Sequence, residues 1–160
     1  MELTNINPHH IDAKILADSI TPDGKRLTTF EVRMPRIILA EHNTHRTHSR
    51  NFASSRAIPV KKLRAEVWDD PFMPVYWGAN KSGMSASEEL SGRNLKLAKF
   101  VWRALSKVAV FGSWCFEKIG LHKQTANRIL EPWLSVVGVV SGTEWDNFFK
   151  LRLAPSAQPE

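Results

Sequence analysis

Cysteine is almost absent: Cys115 is the single thiol in 160 residues. An intrachain disulfide and a cysteine-based zinc site are therefore excluded. Cys115 lies in the mostly apolar run Val110 to Phe116 and reads as a buried structural thiol, not a nucleophile. No apolar stretch approaches the roughly 18 to 20 residues that span a bilayer. The N-terminus is polar and carries Glu2 and Asp12 in place of the basic start and apolar run of a signal peptide. A reducing, cytoplasmic setting is expected. There is no glycine-rich phosphate loop, neither a Walker pattern nor G-x-G-x-x-G, and no serine sits in a nucleophile-elbow setting. These absences argue against P-loop, dinucleotide-fingerprint and elbow-hydrolase chemistry.

What is present is a charge of +6, which favours an anionic partner such as a nucleotide or nucleic acid. The length suits a single domain, residues 1–160, with a real core. The chain is organised around the run from His45 to Arg56, in which three arginines, two histidines, three serines and an asparagine fall within twelve residues. Guanidinium forks, hydroxyls, an amide and imidazoles suit the phosphate oxygens and carbonyls of an anionic ligand. So polar a run is expected to be irregular, since every buried donor would need a partner.

The flanking segments read as secondary structure. Ala13–Ile20 and Arg26–Met34 are expected strands, joined as a hairpin through the turn signal Pro22-Asp23-Gly24. Pro35 suits the first turn of a helix over Arg36–Thr44. Trp68 to Asn80 carries three chain breakers and five large side chains, so it is an ordered loop. Its aromatics serve either to anchor the loop or to stack on a base or flavin ring. Ser85-Ala86-Ser87-Glu88 has capping-box spacing. A long helix is expected from Asn94 to Ile119, with Leu97, Val101, Ala104, Leu105, Val108, Phe111 and Cys115 along one face and Gly120 as its stop. A helix over His122–Leu130, a brief strand Val136–Val140 interrupted at Gly138, and a helix Glu144–Leu153 capped by Thr143 complete the chain. His42, His45 and His48 stand three apart. Arg46 and Arg50 lie among them, and neither cysteine nor a nearby aspartate completes a set, so no metal site is assigned. Arg128 and Arg152 each lie among apolar neighbours, where an arginine holds either a salt bridge or an anionic ligand.

The run His45-Arg46-x-x-Ser49-x-Asn51-x-x-Ser54-x-Arg56 resembles the signature of flavin-dependent thymidylate synthases (ThyX), R-H-R-x-x-S-x-N-E-x-S-x-R-Y, matching six of its nine fixed positions in order. Thr29 to Pro35, Arg128-Ile129-Leu130-Glu131-Pro132, Asn147-Phe148-Phe149-Lys150-Leu151-Arg152 and Ala157-Gln158-Pro159-Glu160 are similar to further family segments. The resemblance implies an α+β fold, a small antiparallel sheet packed with several helices including one long central helix. It implies transfer of a methylene from methylenetetrahydrofolate to C5 of dUMP, giving dTMP, with FAD as cofactor, NADPH as reductant and a homotetramer whose sites draw on several subunits. By position, His45, Arg46, Asn147 and Asn51 would contact FAD. Ser54, Ser55 and Arg56 would hold the dUMP phosphate, with Arg128 also on the nucleotide. Arg152 would be the catalytic residue, lying against the uracil and stabilising its anionic form.

This chain departs from the signature at Thr44, Phe52 and Ala57, which replace an arginine, a glutamate and a tyrosine. The first two replacements remove a basic flavin contact and an acidic nucleotide contact. Family members also continue with further helix beyond the A-Q-x-E segment, so a fragment or a missing C-terminal element is expected. The alternative of another class is a non-catalytic, basic nucleotide- or nucleic-acid-binding domain on the same fold.

Overall fold

A computed structural model describes residues 9–82, 86, 88–154 and 157. In chain order the elements are strands β1 (Asp12–Ile20) and β2 (Arg26–Pro35), a 3-10 turn Arg36–Ile38, helix α1 (Leu39–His42), strand β3 (Ser49–Phe52), a 3-10 turn Ser55–Ala57, helices α2 (Val60–Asp69), α3 (Gly92–Lys118) and α4 (Lys123–Ala126), a 3-10 segment Arg128–Trp133, strand β4 (Ser135–Gly142) and helix α5 (Asp146–Arg152). The chain divides into two compact units. One takes its described residues from Met1–Ala53 and Ser135–Gln158, the other chiefly from Ser54–Leu134.

The first unit is a four-stranded antiparallel sheet in the order β1-β2-β4-β3. The expected hairpin is present: Gly24 adopts φ 85°, and Thr21 and Lys25 close the turn through backbone bonds. β1 is an exposed edge strand, tied to β2 by the ion pair of Arg26 with Asp18. The central strand β4 runs without interruption through Gly138. Its buried face alternates Val136, Gly138, Val140 and Gly142, opposite Met34, Val32, Phe30 and Thr28 of β2.

Three further readings of this unit are corrected by the structure. The polar run is not irregular throughout, because Ser49–Phe52 pairs with β4 as an edge strand whose alternation turns Arg50 and Phe52 inward. The helix expected over Arg36–Thr44 is a 3-10 turn followed by the single turn α1, ended where the Thr44 hydroxyl donates to the Glu41 carbonyl at 2.7 Å. The last helix starts later than expected, at Asp146, and Thr143 does not cap it.

The second unit packs α2, α3 and the 3-10 segment around Leu63, Val67, Leu130, Trp133 and Leu134, with Ile58, Trp102, Val110 and Ile129 against them. α3 turns Ser106 and Ser113 fully inward and leaves the stripe Leu97, Phe100, Val101, Leu105, Val108 and Phe111 exposed in the single chain. Cys115 is half-buried. Arg64 of α2 meets Glu117 of α3 at 2.5 Å, and this guanidinium holds the Glu117 carboxyl below the usual range. The loop after α2 is anchored by its own large side chains, as one of the two readings had it: Phe72 is buried, and its carbonyl accepts from the Trp102 indole at 2.8 Å. The helix expected over His122–Leu130 is the one-turn α4 and then a 3-10 segment that contains Pro132. A proline nitrogen cannot donate to an α-helical ladder. The capping-box reading at residues 85–88 and the final Ala157 to Glu160 segment lie largely outside the described residues. The expected α+β arrangement of a small antiparallel sheet with several helices, one of them long, is the one observed.

Candidate functional site

In the first unit the chain leaves α1 as a loop carrying His45 and Arg46 and returns as β3. Arg50 shapes this loop. Its Nε donates to the Asn43 side-chain oxygen at 2.8 Å, and its terminal nitrogens donate to the carbonyls of Asn43 (2.6 Å), His45 (2.8 Å) and His48 (3.1 Å). A planar fork can satisfy several diverging carbonyls at once, which a lysine cannot. Arg50 occupies a variable position of the signature, so neither its composition nor the motif singled it out.

The rings of the loop pack on α5. Phe148 meets His45 and His48 at 5.1 Å each and His42 at 6.3 Å, all edge-on. His48 is 3% exposed and stacks on Trp145 at 4.1 Å, while its Nε2 lies 3.3 Å from the Glu144 carbonyl. That makes His48 a packing residue. Among the described residues no group of three or more His, Cys, Asp or Glu side chains is placed to hold a metal ion. The two glycines of β4 admit the rings: a Cβ at Gly142 would lie 2.6 Å from the His48 ring, and one at Gly138 would lie 2.1 Å from Phe52. Phe52, standing where the signature has glutamate, therefore lies on the sheet over Gly138 and meets His42 edge-on at 5.3 Å.

Arg152 is one helical turn after Phe148 on α5, an i,i+4 spacing that puts both on one face. Its charge acts on the loop histidines. Burial and then Arg152, His48 and Arg50 hold the His45 imidazole below its ordinary value. Burial, followed by His45, Arg50, His48 and Arg152, lowers His42 from 6.5 to about 4. Both rings are neutral at pH 7. Arg46, Asn51, Asn147 and Arg152 are exposed. The structure thus brings His45, Arg46, Asn147 and Arg152 onto two elements joined through Phe148.

The depressed histidines fix a pH dependence. The unfolded chain takes up protons near pH 6.5, but folded His42 resists until about pH 4. Stability contributed by these neutral rings is present above pH 6.5 and is lost as pH falls toward 4, because the unfolded state then binds more protons. The loss attributable to His42 is at most about 3 kcal/mol, less where solvent screens the ring. Chemical denaturation at pH 7.5 and pH 4.5 measures it. His42→Gln should flatten the difference, and an equally steep profile in that variant would show that another group is responsible.

In the second unit Ser54, Arg56, Ala57, His122 and Gln124 line a cavity of about 280 Å³. Ser54 precedes the 3-10 turn Ser55–Ala57 and Arg56 lies within it, and the Ser54 hydroxyl accepts from the Arg56 backbone N–H at 3.4 Å. Ser55 points elsewhere: it is buried and donates to the Glu131 carboxylate at 2.7 Å. Arg128 is exposed at the start of its 3-10 segment, away from the lining of this cavity. Neither Arg128 nor Arg152 forms an ion pair among the described residues.

Neither a family model nor a curated protein matches the chain. Two solved structures of the UMP/dUMP methylase PolB from Streptomyces cacaoi, one bound with 5-Br UMP and one with 5-Br dUMP, do. Each has a TM-score of 0.61 and 15% sequence identity, and covers 83% of this chain and 72% of the methylase chain. The chain shares the fold of that methylase. At this identity the likeness is one of fold, and the site residues rest on the signature and the geometry. Among the described residues no helix is long and apolar enough to cross a membrane.

Proposed function

We propose that this chain carries out the flavin-dependent reductive methylation of dUMP to dTMP, with methylenetetrahydrofolate as one-carbon donor and NADPH as reductant. The observation that carries the reading is the packing of the His45 ring on Phe148 of α5, the helix that ends in Arg152, which joins two family-like segments widely separated in sequence. The fold likeness to a UMP/dUMP methylase supports a uridine 5′-monophosphate as substrate.

The residues present fit a flavin. His45 is held below its ordinary pKa by burial and then by Arg152, and Arg46 and Asn147 are exposed, so donors suited to ring carbonyls and pyrophosphate are carried on the loop and on α5. FAD, when bound, supplies the redox chemistry. The chain's own part is positioning and charge. Arg152 supplies a planar cation that stabilises the anionic N3–C4=O form of the uracil, the form in which C5 is nucleophilic. Arg50 keeps the His45–Arg46 loop in the conformation that faces α5. Ser54 and Arg56 hold the phosphate, and Arg128, outside the lining of their cavity, lies on another part of the nucleotide. The test is spectroscopic: the purified protein reconstituted with FAD shows a flavin spectrum that dUMP perturbs, and UMP serves as the comparison ligand. A protein that takes up no flavin yet binds DNA with steep salt dependence would establish the nucleic-acid-binding alternative instead.

Self-association belongs to the same reading. α3 spans about 40 Å, and its exposed stripe includes Phe100 at 69% and Phe111 at 63% exposure. A stripe of this size is more than isolated surface apolar residues account for. In the proposed homotetramer it packs against another copy. Light scattering should report an oligomer for the wild type, and Val108→Glu with Phe111→Glu should shift it to smaller species without loss of helix content. A monomeric wild type at micromolar concentration would refute the assembly.

A further inference from the structure

We propose that His122 is a phosphate-binding residue of the nucleotide site, donating from Nε2 into the cavity that Arg56 and Ser54 also line. This rests on the reading of Ser54 and Arg56 as the phosphate grip, and adds a residue that the signature does not contain.

A hydrogen bond assigns the tautomer, and the cavity lining names the neighbours. The backbone N–H of Gln124 donates to His122 Nδ1 at 3.2 Å. A backbone amide can only donate, so Nδ1 must accept, and the proton of the neutral ring resides on Nε2. One nitrogen of His122 therefore caps α4, and the other is a fixed donor. His122, Gln124, Ser54 and Arg56 border one cavity of about 280 Å³. A guanidinium, a hydroxyl, an amide and an imidazole N–H around one space match the several acceptor oxygens of a phosphate monoester.

The two walls are held in register by Asn127. It is fully buried, and its side-chain nitrogen donates to the carbonyls of Ser55 at 2.8 Å and Ile58 at 3.0 Å. Asn127 directly follows α4, so it ties the turn bearing Arg56 to the element that His122 caps. Ser55, donating to Glu131, adds a second tie. Asn127 and Ser55 are thus positioning residues, and Ser55 takes no part in the grip itself.

The substitution that separates capping from binding is His122→Asn. Asparagine is a good N-cap, so α4 keeps its acceptor, but the shorter side chain withdraws the donor from the cavity. Binding of dUMP, deoxyuridine and inorganic phosphate to the full-length protein would be measured by calorimetry. Expected is an affinity for dUMP and phosphate about tenfold weaker in His122→Asn, as for loss of one charge-assisted hydrogen bond. Deoxyuridine binding and the melting temperature should be unchanged. Undiminished dUMP affinity in His122→Asn, with a loss in Arg56→Ala, overturns the role of His122 and leaves the methylase reading standing. Phosphate binding that depends on His122 in a protein that never takes flavin supports the pocket and removes the methylase. A wild type that binds neither phosphate nor dUMP overturns the proposal.

Discussion

Replacing Arg152 by alanine is expected to lower dUMP-dependent turnover by about 10²- to 10³-fold while leaving the fold intact. The size follows from removing a charged donor that stabilises negative charge on the substrate. Tolerance of the fold follows from exposure: Arg152 ends α5 and forms no ion pair among the described residues, and surface substitutions of this kind usually change stability by less than about 0.5 kcal/mol. Arg152→Lys should recover only part of the activity, because an ammonium keeps the charge but lacks the planar fork. A second readout does not depend on catalysis. Arg152 is among the causes that depress His45, so Arg152→Ala should raise the His45 titration followed by NMR. Turnover that survives unchanged would remove the catalytic role, and an unmoved His45 would remove the proximity.

The second large effect is on stability. Gly138→Ala is expected to destabilise the protein by about 1–3 kcal/mol, the usual cost of overpacking a filled space. The added Cβ would fall 2.1 Å from one atom and 2.5 Å from another of the Phe52 ring, so the ring must be displaced. Phe52 cannot leave without disturbing its contact with His42 and the short pairing of β3 with β4. Urea denaturation measures the loss. Phe52→Ala placed in the Gly138→Ala background should recover part of it, giving a coupling energy between neighbours. Additive effects of the two substitutions would show that the ring does not occupy that space. Phe52 in place of the signature's glutamate thus goes with a glycine directly across the sheet, a pairing in which an aromatic covers a position lacking a side chain.

Several elements were legible without the fold. The hairpin follows from alternation on either side of Pro22-Asp23-Gly24, and Gly24 takes the positive φ that such a turn requires. The long helix was legible from its period, within two residues at its start and one at its end. His45 stood out through the signature, and Arg152 through its apolar neighbours and the Asn147–Arg152 segment. Other features were not, because they depend on partners distant in the chain. The strand character of Ser49–Phe52 was masked by its polarity: β4 satisfies its backbone, and the donors of Arg50 find carbonyls of the preceding loop. The division of labour between Ser54 and Ser55 is likewise invisible in composition, since only the approach of Glu131 turns one of two adjacent serines inward.

The sequence by itself determined that this chain forms a hairpin and a long amphipathic helix, and that it carries a donor-rich run suited to an anionic ligand. Turn chemistry, hydrophobic period and side-chain inventory act over a few neighbouring residues. Only the tertiary structure decided which surface of the long helix is covered. Period groups Leu97, Leu105 and Val108 on one face but does not say what lies against it, and the single chain buries Ser106 and Ser113 instead. It alone decided that Gly138 and Gly142 make room for Phe52 and His48, that Arg50 shapes the His45 loop, and that His122 borders the cavity of Arg56. Each of these is a contact between residues far apart in the chain, created only when strands pair and helices pack.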